Sequence, residues 1–229
     1  MSSIVSLSGG KDSSVMVLRM IEEGIPIDRI IFADTTLEFP EMYKWLNKIE
    51  SLIGITIERV KSVKTWDEWF YGNVSKGRFA GRRLGFPYVV QHCWWSRETK
   101  YKLLDKVHKS GDTVYIGIAY NEIKRTMAKQ YNKEGIEYRF PLCEWGMTEQ
   151  DCFTYLNDIG LVHPLEKFKR TGCWLCPKQS MGSLKTLFTD YPDLWEKLKV
   201  YEKDSPHGFK PNFSLEDFEI DLIKEEIGI

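Results

Sequence analysis

Residues 4–7, Ile-Val-Ser-Leu, make a short, mostly apolar run of the length of a buried strand, and a glycine pair follows at once. From about residue 13 to residue 23 the period changes. Val17, Met20 and Ile21 fall on one helical face, Gly24 stops the helix, and Pro26 lies just beyond. Residues 29–33 read as a second buried strand. Pro40 opens a second helix, with Met42, Trp45, Leu46, Ile49, Leu52 and Ile53 at helical spacing. Residues 55–60 predict a third strand. Strands alternating with helices in this order predict parallel pairing, right-handed crossovers and helices on both faces of the sheet. Ligands of such sheets bind outside the carboxyl ends of the strands, so the segments after the first and second strands should face one crevice.

From residue 65 to 92 the pattern is less regular, with a short helix expected around 66–71. Residues 99–109 read as helix, 113–118 as a strong fourth strand and 138–143 as a fifth. Thr148 caps a helix reaching about residue 159, and Asp151 closes a capping box in place of the commoner Glu. After Pro164 the texture turns to short helices and loops near 181–188, 192–201 and from 215 onward. The expected architecture is α/β: a doubly wound, mainly parallel five-stranded sheet over residues 1–160. A small, cysteine-containing helical appendage over 161–229 packs on it. There is no internal repeat or low-complexity tract.

The chain has 229 residues, 42% apolar and 14% aromatic, which gives it a real core and argues against disorder. The formal net charge is -1, so no global basic field attracts nucleic acid, although a local basic face is still allowed. No apolar stretch approaches membrane-spanning length, and the start lacks a basic-then-apolar signal pattern. A cytoplasmic protein with no membrane partner is expected. Five cysteines, an odd number, do not make a disulfide framework; metal, cluster or redox use fits better.

The glycine turn carries the sharpest chemistry. Ser8-Gly9-Gly10-Lys11-Asp12-Ser13 joins a strand to a helix. Gly9 and Gly10 let the backbone approach an anion, and the free N–H groups of the helix start point at it. Lys11 adds a point charge, and Ser8 and Ser13 supply hydroxyl donors. Asp12 is unwelcome beside bare phosphate and makes sense as a ligand of a bridging Mg²⁺. Neither the Walker A spacing nor the dinucleotide G-x-G-x-x-G pattern is present. The bland alternative is a glycine turn that merely caps a helix. As it stands, SGGKDS resembles the pyrophosphate-binding loop of the PP-loop ATP pyrophosphatases, which cleave ATP between its α and β phosphates.

Further segments narrow the resemblance. They are Phe32-Ala33-Asp34-Thr35-Thr36-Leu37-Glu38-Phe39-Pro40-Glu41, then Gly117-Ile118-Ala119-Tyr120-Asn121-Glu122-Ile123-Lys124-Arg125, then Phe140-Pro141-Leu142-Cys143-Glu144-Trp145. In this order they resemble the phosphoadenosine phosphosulfate (PAPS) reductase family of that superfamily. The resemblance implies an adenine nucleotide alpha hydrolase-like fold and an adenine nucleotide in the crevice. Asp34 and Thr36 would meet the nucleotide or its metal, Glu38 and Glu122 would position a nucleophile, and Arg125 would hold a phosphate or sulfate. Turn chemistry ahead of a helix is the plain reading of Asp34, Thr35 and Thr36. A solvated i,i+3 pair is the plain reading of Glu122 and Arg125. Family reductases use a C-terminal Glu-Cys-Gly-type motif, whereas residues 203–229 here contain no cysteine. The complete SGGKDS matches members that bind ATP, so ATP use is expected over sulfonucleotide reduction.

Cys173-Trp174-Leu175-Cys176 is a C-x-x-C, and Cys93 lies in a segment resembling one that carries part of an iron–sulfur cluster in relatives. Relatives often have paired cysteines there, where this chain has Trp94. Cys93, Cys173 and Cys176 could hold a [4Fe–4S] cluster with one open iron. Zn²⁺ is the rival, with Cys143, His92 or His163 as fourth ligand; a persulfide or disulfide pair and a buried turn are the other readings. Cys152 sits on an apolar stripe and reads as core, and Cys143 leans the same way. Lys76, Arg78, Arg82 and Arg83 form a basic, glycine-rich loop around Phe79. It fits a flap over the nucleotide, a nucleic-acid contact or a solvated loop. The expected activity is adenylyl transfer from Mg²⁺-ATP, with Lys11 and Asp12 catalytic, activating a nucleic-acid or small-molecule acceptor for sulfur delivered by a donor protein. A sulfonucleotide reductase is the first alternative. An ATP-binding module of a larger phage or defence assembly is the second, and a homodimer is left open.

Overall fold

The structure, a computed structural model, describes residues 1–88 and 93–227. In chain order the first elements are β1 (Ser3–Leu7), α1 (Lys11–Glu22), β2 (Arg29–Asp34), α2 (Pro40–Ile53) and β3 (Ile57–Lys61). Three helices follow: α3 (Trp66–Phe70), α4 (Trp94–Ser96) and α5 (Lys102–Val107). Then come β4 (Thr113–Ile116), β5 (Glu137–Arg139), α6 (Pro141–Glu144) and α7 (Glu149–Asp158). The chain closes with α8 (Met181–Asp190), α9 (Pro192–Asp204) and α10 (Leu215–Ile227). These elements divide into two compact units. The first comprises Met1–Asp34, Phe39–Lys61 and Thr99–Glu166, and the second Thr35–Glu38, Ser62–Glu98 and Lys167–Ile229.

The first unit is built on a five-stranded, all-parallel sheet of order β3-β2-β1-β4-β5 with helices on both sides, as the alternating pattern predicts. β1, β2 and β4 are buried apolar strands, and Ile4, Ile31 and Val114 centre a core lined by Val60, Leu104, Ile116 and Tyr138. The register pairs Ser3 with Thr113 and Ile4 with Arg29, so β1 lies centrally and the winding direction reverses between β1 and β4. That reversal opens a crevice at the carboxyl ends of these two strands.

Several boundaries differ from the expected ones. α1 begins at Lys11, not residue 13, which places Lys11 and Asp12 in the first turn. β3 starts at Ile57, two residues late, because its alternating burial makes it a half-exposed strand with weaker apolar signal. The expected fifth strand over 138–143 is cut to Glu137–Arg139, because Pro141 opens the short helix α6 and cannot extend a ladder. The helix expected over 99–109 begins as a π-helical turn, Arg97–Tyr101, before α5. Thr148 and Asp151 form the expected capping box at α7.

The second unit has an aromatic core. Trp66, Phe70, Phe86 and Trp95 are almost fully buried, and Tyr201 of α9 meets Phe70 edge-on at 5.0 Å between ring centroids. Thr65 and Glu68 close a capping box on α3. α8 packs on α9 and α9 on α10, where Glu219 accepts hydrogen bonds from Trp195 Nε1 (3.1 Å) and Lys199 Nζ (2.7 Å). No helix among the described residues is long and apolar enough to cross a membrane.

Candidate functional site

The turn after β1 is shaped by three hydroxyls and one histidine. Gly9 adopts φ +80°, a left-handed conformation that a side chain would strain. Ser13 Oγ donates to the Gly10 carbonyl (3.1 Å), accepts from the Ser8 N–H (3.2 Å) and lies 2.9 Å from Ser8 Oγ. Ser14 Oγ also donates to the Gly10 carbonyl (3.0 Å) and accepts from Trp45 Nε1 (2.9 Å). His163, 6% exposed, donates from Nε2 to the Gly9 carbonyl at 2.9 Å. The Leu165 N–H donates to Nδ1, which fixes that tautomer. Trp45 braces the ring edge-on at 5.0 Å. Gly10 is the N-cap of α1, and among the described residues no side-chain cap bond is made there. The turn is therefore held from behind by side-chain bonds to its carbonyls, with the start of α1 left without a side-chain cap among the described residues.

The charges sit on the same helix start. Lys11 Nζ lies 2.6 Å from Asp12 Oδ1 and 3.5 Å from Glu149 Oε1. Burial works against the Lys11 ammonium, but the bond to Asp12 and the charges of Asp12 and Glu149 outweigh it, and its pKa rises. Burial, the largest influence on Asp12, raises its carboxyl pKa against the pull of Lys11, and Glu149 adds to the rise. Asp12 is thus an incompletely compensated anion, the condition a divalent cation relieves, and its oxygen chemistry suits Mg²⁺. Glu149, the first residue of α7, accepts from Asn121 Nδ2 (2.9 Å), which with Lys11 lowers its pKa. The Glu149 N–H in turn donates to Asn121 Oδ1 (2.9 Å). Cys152, fully buried as expected for core, faces Asp12; burial, then that carboxylate, pushes its thiol up to about 12.

The segment after β4 closes the other side of the crevice. Gly117 approaches α1 so closely that a Cβ there would stand 2.6 Å from Ser13 Cα. Glu122 and Arg125 form an exposed i,i+3 ion pair on the 3₁₀ turn Tyr120–Met127. Asp34, at the tip of β2, accepts from Tyr43 Oη at 2.8 Å. Asn121, Glu149 and the loop-bracing role of His163 were not read from the sequence. The one signal present was the Thr148 cap, which fixes Glu149 at a helix start.

Thr35, Thr36 and Glu38 belong to the second unit. Thr36 takes φ +61°, an uncommon conformation for a β-branched residue. Thr35 Oγ1 donates to Glu38 Oε1 (2.7 Å) and accepts from the Cys173 thiol (3.5 Å). The Trp174 N–H donates to the Leu37 carbonyl (3.0 Å). The Cys173-to-Cys176 stretch is a tight turn, closed by the Cys176 N–H on the Cys173 carbonyl (3.1 Å).

Cys93, Cys173 and Cys176 all lie in the second unit, where Cys93 is near enough to Cys176 to act on its thiol. Among the described residues no group of three His, Cys, Asp or Glu side chains is arranged to hold a metal ion. Cys93 Sγ caps α4 by accepting from the Ser96 N–H (3.4 Å), and the Cys173 thiol is engaged by Thr35. Burial raises the Cys176 thiol pKa, and Cys93 adds to it. The Cys143 thiol donates to the Ile118 carbonyl (3.2 Å), as a packed thiol does. Both ring nitrogens of His163 make hydrogen bonds within the first unit, to the Gly9 carbonyl and from the Leu165 N–H. His92 lies outside the described residues.

Residues 2–77 match the model of the phosphoadenosine phosphosulfate reductase domain. Among curated proteins the chain is similar to two uncharacterized proteins of Methanocaldococcus jannaschii. With MJ0066 it shares 28% identity over 85% of this chain and 40% of that protein. With MJ0973 it shares 27% over 84% of this chain and 45% of that protein. The chain thus spans less than half the length of the curated relatives it matches. Among solved structures it resembles a phosphoadenylyl-sulfate reductase from Candida auris in a phosphate complex. That match has 17% identity and a TM-score of 0.50, and covers 76% of this chain and 82% of that one. Residues 2–77 therefore carry the match to the PAPS reductase domain, and the α/β fold of the chain resembles that of a solved reductase.

Proposed function

We propose that the protein binds Mg²⁺-ATP on the Ser8-to-Ser13 turn and transfers the adenylyl group to an acceptor, releasing pyrophosphate. The observation that carries this reading is the Lys11–Asp12–Glu149 cluster on a helix start without a side-chain cap, at the point where the sheet reverses. The β and γ phosphates rest on the α1 amides, with Ser8 and Ser13 as further donors. Mg²⁺, held by Asp12, would neutralise phosphate charge. Lys11 stays protonated because Asp12 and Glu149 hold it so. It faces the pyrophosphate on which negative charge grows as the bond to the α phosphorus breaks. An acceptor oxygen forms the new bond to that phosphorus, and the electron pair leaves with pyrophosphate. Asn121 holds Glu149, and Glu149 holds Lys11, so both are positioning residues. Glu122 and Arg125 flank the crevice as candidates for the acceptor side.

In the fuller reading, the adenylylated acceptor is then attacked by a sulfide-level nucleophile from a donor, and AMP leaves with the electron pair of the broken bond. Cys93, Cys173 and Cys176 are the thiols through which that delivery is to be tested. Reduction of a sulfonucleotide is a second reading, favoured by the description of the matching domain model. One experiment separates them. Labelled ATP should give AMP and pyrophosphate with acceptor present, and Lys11→Ala should lower the rate by on the order of 10²-fold or more. Sulfite from a sulfonucleotide with a dithiol reductant supplied, the dithiol being oxidised to its disulfide, and no AMP from ATP would establish the reductase reading instead.

A further inference from the structure

Residues 72–85 form an ordered hairpin-like loop, bridged antiparallel at Asn73 and Arg83. The Val74 N–H donates to the Arg82 carbonyl (2.8 Å), the Gly81 N–H to the Val74 carbonyl (2.9 Å) and the Leu84 N–H to the Gly72 carbonyl (2.8 Å). Its base is anchored. Gly85 sits so close to Pro206 that a Cβ would stand 2.6 Å from the proline ring. Arg83 lies over the Tyr71 ring at 5.6 Å and donates to the Asp204 carbonyl (3.3 Å), while Tyr71 Oη donates to the Asp204 carboxylate (2.7 Å). The tip is exposed and carries Lys76, Arg78, Phe79 and Arg82. Phe79 is 50% exposed, with the Arg78 guanidinium 5.8 Å and the Arg82 guanidinium 5.4 Å from its ring centre.

Residues 69–88 contain four cations and no Asp or Glu, in a chain whose net charge is -1. Among the described residues, Lys76, Arg78 and Arg82 make no ion pair with a carboxylate. Such a concentration of unneutralised charge is a local field of one sign. The Phe79 ring holds two guanidiniums in place before any partner arrives, which reduces the ordering cost of binding. Planar guanidiniums around an exposed aromatic match alternating phosphates and bases. The cations surround a loop tip rather than lining a helix or paired ribbon that would enter a duplex groove.

We propose that this loop is a docking site for the backbone of single-stranded nucleic acid. It would thereby name the acceptor class of the proposed adenylyl transfer. It rests on that reading only for the word acceptor, because binding is measured without ATP.

The test is fluorescence anisotropy with a labelled single-stranded DNA or RNA oligonucleotide across a salt series, on the full chain. Binding should weaken with salt. Arg78→Ala/Arg82→Ala should lower affinity and make the log–log salt slope shallower by about 1.4, roughly 0.7 for each lost phosphate contact. Arg78→Lys/Arg82→Lys should keep the slope, which guards against a merely misfolded loop. No ATP is present in the assay, so failure of the ATP reading would leave this result standing. No binding at low salt, an unchanged slope in the alanine variant, or equal affinity for duplex would overturn the proposal. Equal affinity for a polyglutamate peptide would also overturn it and assign the loop to an acidic protein.

Discussion

Substituting Gly117 by alanine should strike the candidate site through the backbone alone. The added Cβ would lie 2.6 Å from Ser13 Cα, 2.9 Å from its nitrogen and 3.0 Å from its Cβ. Carbon atoms pack at about 3.5–4.0 Å, so the overlap is about 1 Å. Ser13 cannot retreat freely, because its hydroxyl is tied to the Gly10 carbonyl and the Ser8 N–H. The other wall is the end of β4, fixed by its ladder to β1. Overpacking of this kind costs about 1–3 kcal/mol. At about 2–4 °C per kcal/mol for a chain of this size, Tm should fall by roughly 2–12 °C. What strain the sheet does not absorb displaces the start of α1, and a shift of about 1 Å in a reacting geometry costs on the order of 10²-fold. Calorimetry and AMP release on Gly117→Ala should show both losses. Gly182→Ala is the control: no atom lies within 4 Å of its added Cβ, and it sits in the first turn of α8. It should be neutral or gain up to about 1 kcal/mol. Gly117→Ala with unchanged Tm and rate would refute the claim that this glycine exists for close approach to the start of α1.

Other outcomes follow from neighbouring features. His163 and His108 are both held below the usual histidine pKa chiefly by burial, so the unfolded chain binds their protons more readily. Their contribution to stability is present above the unfolded value and is lost as pH falls from about 6.5 through the folded values. Denaturant midpoints should therefore drop on acidification across that window, and His108→Gln/His163→Gln should flatten the drop. Thr148→Ala removes the cap of α7 and should cost about 0.5–2 kcal/mol, with Thr148→Asp restoring most of it by denaturant titration. Because that cap also fixes Glu149, AMP release should fall in the alanine variant and recover with the cap. Asn121→Ala removes the amide that holds Glu149 and should raise the KM for ATP while leaving the Tm nearly unchanged.

What was legible in the chain was what lies close together in it. β1, β2 and β4 announce themselves because parallel strands buried on both faces read as unbroken apolar runs. β3 and β5 blur: one is half exposed, and the other is three residues long before Pro141 turns the chain into α6. The glycine turn was legible because its glycines, lysine and hydroxyls are contiguous. Asn121, Glu149 and His163 were not, because each reaches that turn only through folding, from far along the chain. The bonds that the two ring nitrogens of His163 make to the Gly9 carbonyl and the Leu165 N–H, and the contacts of Cys93 with the Ser96 N–H and of Cys173 with Thr35, likewise join residues that spacing alone does not connect.

The central position of β1 has a consequence for biosynthesis. Its neighbour β2 follows within about thirty residues, but its other neighbour, β4, pairs Thr113 with Ser3. The glycine turn is further held by Glu149 and His163. A ribosome adding about 5–20 residues per second therefore exposes half of the sheet for several seconds before the strand that completes it exists. During that interval the open edge of β1 is unpaired, and long-range pairing of this kind is slow to form once its partner arrives. A ligand of the glycine turn cannot select the native state of this nascent chain until the last of those contacts has emerged, so it would act on folding late, as a lock on a finished sheet.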